Sequence, residues 1–73
     1  MAGSTYAVWS EIASARSAVR HALAHLTLAM LESVLSEGGD IPVIVGDNLN
    51  CVSEILEDAD KLLKEAKNAI PPF

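Results

Sequence analysis

The chain is 73 residues long, one small domain, near the size at which a single hydrophobic core barely offsets chain entropy. Of its residues 51% are hydrophobic and only 21% charged, with a formal net charge of −5 and a pI near 4.7. That balance disfavours direct nucleic-acid binding through phosphates, and it asks for more burial than a monomer of this size provides, so self-association is expected. The longest apolar run without a charge, Ala22 to Leu31, already contains His25 and falls well short of the ~20 residues of a membrane span. No basic cluster precedes the first apolar residues, so no secretory signal is read and a cytoplasmic location is expected. The one cysteine, Cys51, excludes an intrachain disulfide.

After a short polar start at Met1 to Ser4, a run from Thr5 to Glu37 contains neither proline nor glycine. Either residue would cost free energy in a helix interior, and the run is rich in Ala and Leu, which cost least. A helix over about 5–37 follows, with Ser4 or Thr5 as its cap and Gly38-Gly39 as its stop. At 100° per residue, Val8, Trp9, Ile12, Val19, Leu23, Leu26, Met30 and Val34 form one stripe, flanked by Ala15 and Ala22. A second stripe, Ala24, Leu28, Leu31 and Leu35, begins halfway along. Glu11, Ser14, Ser17, His21, His25, Glu32 and Ser36 take the remaining face. A helix apolar on two sides has to be buried against more than one neighbour. The weak helix formers at Ser14-Ala15-Arg16-Ser17 predict a bend there. Arg16 and Arg20 project beside the main stripe, placed to reach an acidic partner segment over apolar stems.

Residues 38–48 read as a connection. It contains Ile41-Pro42-Val43-Ile44-Val45, β-branched residues before the turn signal Gly46-Asp47-Asn48. This segment is expected to be an extended lid over the end of a hairpin or, as the alternative, a short edge strand that pairs with another chain. Ile41, Val43 and Val45 are therefore candidate partner-binding residues. A second helix over about 49–70 follows, capped by Asp47 or Asn48, with Glu54 in its first turns. Leu49, Val52, Ile55, Leu56, Ala59, Leu62, Leu63, Ala66 and Ile70 make its single stripe. Glu57 and Lys61, and Asp60 and Lys64, stand four apart on the opposite face. The tail 71–73, Pro71-Pro72-Phe73, is extended, with Phe73 either folded back on the core or offered to a partner groove.

The predicted fold is all-α: a two-helix antiparallel hairpin with a long first helix, assembling as a dimeric four-helix bundle. An antiparallel helix starting at Leu49 would stop short of Tyr6, Val8, Trp9 and Ile12. The predicted oligomer interface is accordingly Val8, Trp9 and Ile12 together with Val19, Leu23, Leu26 and Met30.

Chemistry is sparse. His21 and His25 stand four apart on one helix face, the spacing by which two imidazoles hold one metal ion, but two ligands do not complete a site. Gly38-Gly39 and Gly46 lack the spacing and the lysine of a phosphate loop. Cys51 near a helix start is the one hint of a reactive group, and packing is the commoner use of such a residue. No nucleophile, base and orienting group occur together. The chain is therefore expected to be no enzyme and to need no cofactor. Its expected role is regulatory, inhibitory or adaptor work through protein–protein binding as a homo-oligomer. Two alternatives come from other classes: an acidic nucleic-acid mimic that blocks a DNA- or RNA-binding protein, and a metal-binding bundle built on His21 and His25.

Overall fold

The computed structural model describes residues 3–36 and 41–71. Two helices account for nearly all of them, α1 over Gly3–Leu35 and α2 over Val43–Ala69, packed side by side as an antiparallel hairpin, and no strand occurs among the described residues. α1 runs without interruption through Ser14 to Ser17, where the sequence predicted a bend. The helix begins at Gly3, so Ser4 and Thr5 lie inside its first turn instead of capping it. The proposed stop at Gly38-Gly39 lies outside the described residues, as does Phe73.

The largest departure from expectation is the start of α2. Residues 43–48 form neither lid nor strand; they are the first turns of a helix 27 residues long. Pro42 stands at the N-cap with φ −59°, a value its ring enforces and a helix start accepts, and Val45 N–H donates to the Pro42 carbonyl at 3.0 Å. β-branched residues cost only a few tenths of a kcal/mol each in a helix. Extending α2 beside α1 adds a backbone hydrogen bond per residue and continues the contact, which outweighs that cost. Asp47, Asn48 and Glu54 consequently lie inside the helix, and no side chain caps the N-terminus. At the other end the Ile70 N–H closes onto the Lys67 carbonyl at 3.3 Å.

The half-buried residues define the contact. On α1 they include Thr5, Trp9, Ile12, Arg16, Val19, Leu23, Leu26, Met30 and Ser33, spaced alternately four and three apart. On α2 the same alternation runs through Gly46, Leu49, Ser53, Leu56, Asp60, Leu63, Lys67 and Ile70. A strict three–four alternation is the heptad seam of two helices interlocking side chain into gap. Specific contacts fix its register. Arg16 Nε donates to Asp60 Oδ1 at 2.9 Å, with the two side chains only 18% and 21% exposed. The Ser53 hydroxyl donates to Met30 Sδ at 3.6 Å, and Lys67 Nζ lies 5.3 Å from the centre of the Trp9 ring. The Arg16 head thus reaches the acidic helix that its place beside the stripe anticipated.

This hairpin has no interior. None of the described residues is fully buried, and the molecule measures 59 × 14 × 13 Å with a radius of gyration of 16.9 Å. A compact domain of this length would have a radius near 11 Å.

Candidate functional site

α2 is strongly amphipathic, and its apolar stripe is wider than the seam. Leu49, Leu56, Leu63 and Ile70, at one edge of the stripe, meet α1. Val52, Ile55 and Leu62 lie about 60–140° further round the helix, and they remain 42%, 65% and 64% exposed. Every second seam position on α2, Gly46, Ser53, Asp60 and Lys67, seven residues apart, is not aliphatic. The apolar face of α2 is therefore turned partly away from the helix that covers it.

On the same flank α1 contributes Val8, Ala15, Ala22 and Ala29, seven residues apart. Small side chains there permit another helix to approach closely. A shallow apolar cavity of about 380 Å³ opens beside them, lined by Ala7, Val8, Glu11, Ile12, Ala15 and Leu63. A second exposed aliphatic region surrounds the closed end of the hairpin, with Leu28, Leu31, Val34 and Leu35 on α1 and Val43 and Ile44 on α2. Val34 and Val43 are each 81% exposed.

Several residues singled out in the sequence take different positions from those expected. The N-terminal overhang does not exist. Because α2 starts at Val43 instead of Leu49, its last turns reach Trp9, where Lys67 covers the indole; Tyr6 stacks on the same ring at 6.2 Å between centroids. Trp9, Ile12, Val19, Leu23, Leu26 and Met30 line the intrachain seam, whereas Val8 sits on the open flank. Ile41 and Val43 belong to the closed end and Val45 continues the flank of Val52. The free aliphatic surface thus lies along one flank and at the closed end.

His21 and His25 are both exposed. His21 shares a cavity with Arg16, Arg20 and Lys67, cations that oppose a metal ion in the same place. Among the described residues no group of three or more His, Cys, Asp or Glu side chains is placed to hold a metal. Cys51 is exposed on α2, two turns beyond the helix start, rather than packed. Among the described residues no helix is long and apolar enough to cross a membrane.

No family model matches the sequence, no curated protein is detectably similar to it, and no solved structure resembles it at a significant level. The functional reading therefore rests on the surfaces themselves.

Proposed function

We propose that this chain is a self-assembling helical hairpin that works by binding another protein. Two copies join along the flank of Val8, Ala15, Val52, Ile55 and Leu62 to make a four-helix bundle. The observation that carries this reading is the half-covered stripe of α2: one chain supplies a partner for Leu49, Leu56 and Leu63 and none for Ile55 and Leu62. A second copy is the occupant that the surface area favours. The hairpin exposes 5527 Å², whereas a compact chain of 7.7 kDa exposes about 4,300 Å². The excess, roughly 1,200 Å², exceeds the ~800 Å² that each partner contributes to a stable interface.

With the flank covered, the aliphatic closed end around Leu28, Leu31, Val43 and Ile44 remains as the surface for a different protein, in a regulatory, inhibitory or adaptor role rather than a catalytic one. Large aliphatic side chains gathered at the tip of a bundle serve binding better than solvation. Sedimentation equilibrium at micromolar concentration tests the assembly. A mass of twice 7.7 kDa or more is expected, and a folded monomer at that concentration would refute the reading.

A further inference from the structure

On the flank opposite the aliphatic one, the charges are arranged unexpectedly for an acidic chain. Arg16, Arg20 and Lys67 converge with Ser17, His21 and Ala13 around a cavity of about 360 Å³. These are three of only five Lys and Arg residues in a chain of net charge −5. One carboxylate faces them. Asp60 Oδ1 lies 2.9 Å from Arg16 Nε and 3.9 Å from Arg20 Nε. Among the described residues no acidic group lies within ion-pair distance of Lys67, whose ammonium is held over Trp9.

Within ion-pair distance, three cations against one carboxylate leave two positive charges without a counter-charge, with Glu57 further off on the same flank. Gathering like charges is unfavourable unless an anion joins them. The donors are also partly organised already. Arg16 is fixed by its bond to Asp60 and by burial in the seam, and Lys67 is held by the indole. The Arg20 side chain is 66% exposed and its Nε is too far from Asp60 for a hydrogen bond, so its N–H groups are available for a planar, two-bond contact. Ser17 and His21 stand four apart on α1 and add a hydroxyl and a ring N–H from the same side. Lys67 approaches from the other helix.

We infer that this cavity binds a phosphate group, either as the free ion or as the terminal phosphate of a small phosphorylated molecule. A phosphate dianion matches the charge excess of two, and its oxygens face donors on both helices at once. A carboxylate supplies one charge and one plane. The volume leaves space for a small organic group beyond the phosphate. The site shares no residue with the flank of Val8, Ile55 and Leu62 and is independent of assembly.

Titrating the full chain with inorganic phosphate, at constant ionic strength set with chloride and followed by amide and side-chain NMR, tests the inference. Saturable shifts centred on Arg20, His21 and Lys67 are expected in the millimolar range. Arg20→Gln and Lys67→Gln should each weaken binding about tenfold or more, the loss of at least one charge-assisted hydrogen bond. Arg20 is largely exposed, so Arg20→Gln keeps its helical circular dichroism and remains informative should Lys67→Gln loosen the seam. Phenyl phosphate in a parallel arm identifies the source: tighter binding than the free ion points to a monoester, weaker binding to inorganic phosphate. Shifts that do not saturate, that persist unchanged in Arg20→Gln, or that acetate reproduces at equal concentration would each overturn the inference.

Discussion

The two flanks of the hairpin are built from the same two helices and differ completely. One carries Val8, Ala15, Ala22, Val52, Ile55 and Leu62, with Glu11 beside them. The other carries Ser17, Arg20, His21, Glu57 and Lys64. In an ordinary half-buried helix the apolar stripe faces its neighbour and the polar face opposes it. Here the amphipathicity belongs to the hairpin as a unit. The seam between the helices even contains an ion pair, Arg16 with Asp60, while Val52, Ile55 and Leu62 sit outside it. Such a distribution fits the proposed assembly, in which the seam sets alignment and the flank of a second copy supplies the core.

Substitutions on the two flanks should separate them most sharply. Ile55→Asp combined with Leu62→Asp would bury two carboxylates in the assembled core, at about 3 kcal/mol or more each. The doubly substituted chain should sediment as a monomer and lose most of its helical circular dichroism. The matching change on the polar flank, Glu57→Ala, should alter stability by no more than about 0.5 kcal/mol, because surface substitutions without buried partners rarely do more.

The seam ion pair should give an intermediate effect. Asp60→Ala leaves Arg16 in the seam without its hydrogen-bond acceptor, and chemical denaturation should show a loss of roughly 1–3 kcal/mol. Replacing both residues together, Arg16→Leu with Asp60→Leu, should recover that loss or exceed it. Size-exclusion profiles should then broaden, because an apolar pair no longer penalises shifted registers. A single sharp species in the double variant would assign register to the remaining contacts, Ser53 with Met30 and Lys67 with Trp9.

A smaller effect than that of the ion pair, and opposite in sign, should come at Gly46, the fourth residue of α2. A Cβ built there meets nothing within 4 Å. Gly46→Ala should therefore stabilise by up to about 1 kcal/mol through helix propensity alone, read as a raised denaturation midpoint. A loss of stability would mean that another chain approaches the backbone closely at that point.

The same contrast explains what the sequence could and could not reveal. Both helices and the apolar stripe from Trp9 to Met30 were legible, because a 3.6-residue period recurs over thirty residues, but that stripe was expected at an oligomer interface and lies in the intrachain seam. Arg16 finding an acidic partner on α2 was legible from its place beside the stripe. The start of α2 was not, since Val43-Ile44-Val45 has strand propensity and is nevertheless drawn into the helix that meets α1 from Gly46 onward. That one error placed the expected free surface at Trp9 instead of the flank and the closed end, because six more residues of α2 are enough to cover the indole. Nor does a stripe announce which edge its neighbour will take, so Ile55 and Leu63 looked equivalent until the seam was seen. The cationic cavity was equally hidden: Lys67 and Arg20 are 47 positions apart, and only the hairpin register joins them.

On the proposed assembly, a single hairpin has no core of its own and folds by acquiring one from a second copy. Helical circular dichroism and thermal unfolding, followed on dilution from about 100 μM to about 10 nM, test it most directly, since a folded state stabilised by association must weaken as protomers separate. Helix content should fall cooperatively on dilution, with the melting midpoint dropping in step. A melting midpoint and helical signal that stay constant across the whole range would contradict the claim and make the lone hairpin sufficient to itself.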